Sequence, residues 1–293
     1  MRYSLVEEKK ETGAHYTPKL LADFVAENIV SALPQSFSQK CVRIADPAVG
    51  DGELLISILE VLKQSDHFGF DTDVSVIEVA RDRILNSFPN ISLSLKNTDF
   101  LEFAAKRQQQ LSLFENEELQ RFDVVIANPP YVRTQIMGAE KSQKLAEQFK
   151  LSGRIDLYQV FIQGIAQVLN PGGLAGIIVS NRFLSTKSGA SVRQSILKEF
   201  DILHIWDMGD TRLFEAAVLP AVLLLRKKNG DDFLSPLCFT SIYTSNNGGD
   251  VERTENAITA LNKNGVVKTA DDVVFRVQQG VLEYGDNPKN VWR

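Results

Sequence analysis

Cysteine is scarce: Cys41 and Cys238 are the only two in 293 residues. So wide a separation excludes a disulfide framework and any CxxC metal pair, and a reducing, cytoplasmic setting fits. Long apolar runs are missing. The longest, Ala216 to Leu225, is interrupted by Pro220 and is too short to span a bilayer. The N-terminal MRYSLVEEKKET is charged and has no apolar stretch, so no signal peptide is expected. An excess of positive charge is absent too. The net charge of −5 excludes a uniformly basic nucleic-acid binder but leaves room for a local basic cleft. No internal repeat is present. What remains is ordinary globular composition, 44% hydrophobic and 24% charged, which argues against disorder. At roughly 150 residues per domain the chain holds one large domain or two ordinary ones, with enough length to bury a core unaided.

Helix and strand signals alternate, which predicts an α/β fold with a central, mostly parallel sheet and helices on both faces. Leu20, Leu21, Phe24, Val25, Ile29 and Leu33 fall at helical spacing, with Thr17 expected as N-cap and Pro18 at the first helical position. CVRIA (41–45) reads as a strand leading to a glycine-bearing turn and a helix over 53–63. HFGFD (67–71) and Ile91–Leu95 read as further strands flanking a helix over 74–88. DVVIA (123–127) is β-branched and apolar, the mark of a buried central strand. Residues 133–154 read as a long functional loop containing a helix, and a helix over 156–169 stops at Asn170-Pro171-Gly172-Gly173. Strands follow at 174–180, 202–208 and 221–226, the last expected to pair as a hairpin with a strand near 237–242. A catalytic domain over 1–245 is expected. From 246 to 293 the polar composition suggests an extension, read as the truncated start of a further domain.

The first constellation is Asp46-Pro47-Ala48-Val49-Gly50-Asp51-Gly52, after a strand and before a helix. Ligands of doubly wound sheets bind at such carboxyl ends, and glycine lets the backbone come close. The loop is neither GxGxxG nor a P-loop, and Asp46 would repel phosphate. Asp71, at the end of the next strand, stands where a carboxylate accepts from ribose hydroxyls. A phosphate-free, cationic nucleoside fits, and S-adenosylmethionine is one. The plain alternative is a tight turn.

The second constellation is Asn128-Pro129-Pro130-Tyr131, after DVVIA. Two prolines make the turn rigid and remove two backbone donors. The Asn128 side-chain oxygen and the adjacent carbonyl can both accept from one exocyclic NH2 group, and Tyr131 offers a flat face to a base. A proline-stiffened surface loop is the alternative.

The ordered set GAHYTP (13–18), DPAVGDG, GFD, TDF (98–100) and NPPY resembles the gamma-class N6-adenine DNA methyltransferases of restriction–modification systems, over residues 10 to 230. The resemblance implies a Rossmann-like, S-adenosylmethionine-dependent fold. It implies that Tyr16, Thr17 and Pro18 cover the methionine end of the cofactor. Asp46, Ala48 and Gly50 would line methionine and ribose, and Asp71 would hold the ribose. Asp99 would accept from the cofactor adenine, with Phe100 packed on it. Asn128 and the Pro129 carbonyl, in the corner that Pro130 stiffens, would clamp the target N6. Tyr131 and Phe214 would stack on an adenine flipped out of double-stranded DNA. Phe214 could equally be core. None of the three histidines is a candidate base.

Arg133 begins a stretch, 133–154, with five basic residues against two acidic. Arg182, Lys187, Arg193 and Lys198 form another with no acid between them. Either could face DNA phosphates or simply be solvated. A recognition domain or specificity subunit is the expected partner, and no membrane is. Gln110-Leu111-Ser112-Leu113-Phe114 resembles a sliding-clamp docking peptide, although its apolar residues could merely anchor an inserted segment. The alternatives to DNA methylation are an NPPY methylator of RNA or protein glutamine, and a DNA-binding subunit dependent on a partner.

Overall fold

The computed structural model describes residues 17–35, 37, 40–113, 121–131, 138–151, 156–214, 219–230, 237–246, 251–282 and 290–292. Eleven strands form one sheet: β1 (Val42–Asp46), β2 (Ser65–Asp71), β3 (Ser92–Asn97), β4 (Phe122–Ala127), β5 (Leu169–Ser180), β6 (Phe200–Asp207), β7 (Pro220–Lys227), β8 (Cys238–Thr244), β9 (Glu252–Thr254), β10 (Gly265–Thr269) and β11 (Val274–Val281). Their order is β3-β2-β1-β4-β5-β7-β6-β8-β11-β10-β9. Strands β3, β2, β1, β4 and β5 pair in parallel, as runs buried on both faces require.

Helices cover both faces. Against one pack α1 (Lys19–Ala32), α2 (Glu53–Val61), α3 (Val74–Ser87) and the short α9 (Ala257–Ala260). Against the other lie α4 (Phe100–Leu113), α5 (Ala139–Gln148), α6 (Leu157–Val168), α7 (Arg182–Ser185) and α8 (Ala190–Glu199). The α/β reading, with its mostly parallel first half, holds.

Two local expectations do not. The hairpin expected between 221–226 and 237–242 is absent. Strand β7 instead runs antiparallel between β5 and β6, pairing with both, while β8 pairs parallel with β6. Its unbroken apolar run explains this, because Ala221 to Leu225 are buried in the sheet interior rather than at an edge. The N-cap of α1 is Pro18 and it makes no side-chain cap. Thr17 is turned away, accepting a hydrogen bond from another part of the chain.

Beyond 245, strand β11 pairs with β8 from Phe275↔Thr244 to Val281↔Cys238, and β10 and β9 extend the same sheet. Together with α1 this part walls a cavity of about 540 Å3, lined by Phe24, Glu27, Trp206, Cys238 and Gln279 among others. Trp292 packs its ring on Phe183, and its backbone N–H bonds the Leu184 carbonyl of α7.

The strand order reverses between β1 and β4. In an open α/β sheet that reversal opens a crevice outside the carboxyl ends of the two strands. Asp46 ends β1, and Asn128 follows β4.

Candidate active site

Asp46 is 0% exposed. One carboxylate oxygen, Oδ1, accepts from the Ala48 N–H at 3.0 Å. The other, Oδ2, is buried and meets no donor. Burial, with lesser repulsion from Asp71 and Asp51, raises its pKa to about 8. A buried acceptor with nothing to accept from is a place for a cation or a donor. An ammonium group satisfies it, so the residues present fit the amino end of S-adenosylmethionine.

The loop after Asp46 is built to approach a ligand. Gly50 and Gly52 have φ of +52° and +86°, and a Cβ at Gly50 would meet only open space apart from the Ala48 carbonyl at 3.9 Å. Gly52 is the N-cap of α2. Asp71 straps this loop to β2: Oδ2 accepts from Gly50 N–H at 3.1 Å and Oδ1 from Asp73 N–H at 3.0 Å. Arg83 of α3 braces the far side by pairing with Asp51 at 2.6 Å and Glu53 at 2.5 Å. Sequence reasoning missed Arg83 and Asp73. The second could have been found, since Asp73 before an apolar run is an N-cap pattern, and its side chain does accept from Ser75 and Val76.

Asn128 directly follows the adjacent strand, β4. Its Nδ2 donates to Thr17 Oγ1 at 3.0 Å, and its Oδ1 accepts from the Tyr131 hydroxyl at 2.8 Å. Pro129 is buried, whereas Pro130 and Tyr131 are half-buried. Burial raises the Tyr131 pKa, so the phenol stays neutral and remains a donor. Asp99 accepts from the Leu101 N–H at 2.8 Å and so caps the start of α4.

Other expected residues lie elsewhere. Phe100 is 2% exposed, stacked on Phe161 at 5.8 Å and edge-on to Phe70 at 5.6 Å. Its ring is core and has almost no surface to offer a cofactor. Phe214 is 7% exposed and belongs to the core on the α1 face. Arg193 is 0% exposed and its guanidinium donates to the carbonyls of Phe183, Leu184 and Thr186. It holds α7 in place and cannot reach a phosphate, a correction to the DNA-facing expectation. Arg182 and Lys187 are exposed. Tyr16 and Arg133 lie outside the described residues. His67 is buried against Ser65, and His204 stacks on Trp206 at 3.7 Å; burial lowers both pKa values to about 4, and neither faces the crevice residues.

The comparisons fall on this geometry. Residues 63–214 match the Eco57I restriction-modification methylase family model. The chain belongs to that family. Among its relatives, the Type II methyltransferase M.BanIII of Aneurinibacillus aneurinilyticus is 38% identical over 97% of this chain and 51% of its own length. The chain thus spans about half the length of the curated relatives it matches. Two solved structures share the fold. One is a Listeria monocytogenes protein assigned to the class I S-adenosylmethionine-dependent methyltransferases, with TM-score 0.55, 22% identity, and 74% of this chain and 62% of that one covered. The other is the type IIG restriction endonuclease BpuSI, with TM-score 0.62, 16% identity, and 91% and 31% covered. The fold of this chain is therefore the Rossmann-like fold of those structures. Nothing among the comparisons supports a sliding-clamp contact. Phe114 and the side chains of Gln110 to Leu113 lie outside the described residues, and the backbone of 110–113 continues α4. No described helix is long and apolar enough to cross a membrane.

Proposed function

We propose that this chain is the catalytic part of a restriction–modification DNA methyltransferase that uses S-adenosylmethionine to methylate the N6 amino group of adenine in double-stranded DNA. One observation carries the reading: an unsatisfied buried carboxylate oxygen on Asp46 and the rigid Asn128 corner stand at the carboxyl ends of adjacent strands, at the point where strand order reverses. S-adenosylmethionine supplies an electrophilic sulfonium methyl group. Asp46 would take its ammonium group, with Ala48, Gly50 and the Thr17–Pro18 segment about the methionine and ribose. Asp71, already strapping the loop, would present its remaining acceptor capacity to ribose hydroxyls, and Asp99 would stand at the adenine.

Asn128 Oδ1 and the Pro129 carbonyl would accept the two amino hydrogens of the target, directing the nitrogen lone pair toward the methyl group. To do so Asn128 Oδ1 exchanges the Tyr131 hydroxyl for the incoming amine, which frees the Tyr131 ring to lie against the base. No strong base is needed, because the amine becomes acidic only as it alkylates; positioning supplies most of the acceleration. Arg182 and Lys187 are exposed cations that follow β5 in the chain, suited to DNA phosphates. Target recognition is assigned to a separate domain or specificity subunit.

Incubation with methyl-labelled cofactor and DNA, RNA or a protein extract tests the reading, followed by sequencing of the DNA for modified adenine. Asn128→Ala should abolish transfer, a loss of at least about a hundredfold, with cofactor affinity nearly unchanged. Unaltered turnover, or label entering only RNA or protein, refutes it.

A further inference from the structure

Three arginines gather at the amino ends of β1 and β4, on the face covered by α4. Arg43 of β1 lies over the rings of Phe68 at 5.0 Å and Phe122 at 5.7 Å. Phe122 begins β4, directly after Arg121, and its ring is 6.5 Å from Phe103 of α4. Arg107 follows Phe103 by one helical turn and so shares its stripe.

Arg107 is 3% exposed, and its Nε and Nη2 are buried without an acceptor. Burial first, then Arg121 and Arg43, lowers its pKa to about 10, so it is still a cation at neutral pH. Among the described residues no carboxylate pairs with any of the three side chains. Among the described residues, Asp123 and Asp66 are the acids beside them, and both are committed. Asp123 accepts from Asn170 Nδ2 and from the Arg43 backbone N–H, and Asp66 is bonded to Cys41. A buried guanidinium with unmet donors is strongly disfavoured unless a counter-ion arrives.

We propose that Arg43, Arg107 and Arg121 form a binding site for an oxyanion of the phosphate class. The site is at the opposite end of the strands from Asp46 and Asn128, so it is separate from the cofactor crevice. A tetrahedral phosphate oxyanion spreads its acceptor lone pairs in several directions and can meet more than one guanidinium group, whereas a planar carboxylate fills one fork. The phosphate can be a free ion or a phosphodiester of a nucleic-acid strand, since the chemistry is shared.

Calorimetry and thermal unfolding of the chain in sodium phosphate, against sodium chloride of equal ionic strength, test the proposal. Phosphate should bind saturably and raise the Tm, and Arg107→Met should weaken it at least tenfold. That replacement removes a buried charge for an apolar chain of similar length; should it fail to fold, Arg121→Gln gives the same reading. S-adenosylmethionine affinity should be unchanged in both. Oligothymidylate in place of phosphate separates the sources: competition with phosphate marks a nucleic-acid backbone, and none marks the free ion. Phosphate no better than chloride, an equal response in the variants (an adventitious ion only), or succinate binding as well as phosphate overturns it.

Discussion

At the residue scale, Asp46 sets the pH behaviour of the site. Its ordinary carboxylate value of 3.8 is raised to about 8 by burial. Folding therefore favours the protonated form. That contribution to stability is whole below about pH 4 and is lost as the pH rises through about 8. A cationic ligand needs the carboxylate, so cofactor affinity should climb by up to about tenfold per pH unit as pH 8 is approached, then level off. Titration calorimetry across pH 6 to 9 measures this, and Asp46→Asn should flatten the rise; a slope that survives the substitution counts against the assignment. The placement of Asp46, Asp71 and Asn128 at strand ends was legible because strand, turn residue and polar side chain are written side by side. Phe100, Phe214 and Arg193 were not. Whether a phenylalanine or arginine meets a ligand or the core depends on what other elements bring against it, and DF, LF and SVR look alike in either setting.

At the element scale, α7 illustrates a short helix that cannot stand alone. Four residues make too few internal hydrogen bonds, and the Arg193 guanidinium of α8 gathers the carbonyls that α7 and its exit leave open. Arg193→Met should lower stability by about 3 kcal/mol, the order expected when a buried charged donor to several carbonyls is lost. Denaturant unfolding measures that loss. The salt dependence of DNA binding should not change, and a shallower slope would return Arg193 to the phosphate contacts. Most element boundaries could be read from periodicity, as with DVVIA and the 74–88 helix. Apart from the Thr17 cap, the failure concerns pairing. Which strand lies beside β7 is decided by burial of its apolar run on both faces, and no local pattern encodes a neighbour.

At the scale of the molecule, the sheet does not end where composition changes at 245. Val267, Phe275 and Val277 are buried with Ile242 in one core, and β11 covers the edge of β8 along its whole length. A chain ending at Ser245 would bare that edge and should lose its soluble monomer, as size-exclusion chromatography would register; an unaltered monomer would show that β9–β11 are dispensable. The same breadth governs how the crevice forms. The Asp46–Asp73 cradle is strapped by the Gly50–Asp71 bond, 21 positions apart, and braced by Arg83 at 32 positions from Asp51, whereas the Thr17–Asn128 bond joins points separated by 111. Loop-closure entropy delays distant contacts. In a refolding chain, helical signal should thus return before turnover does, and the amine corner, with the Thr17 segment it holds, is the last part to be assembled.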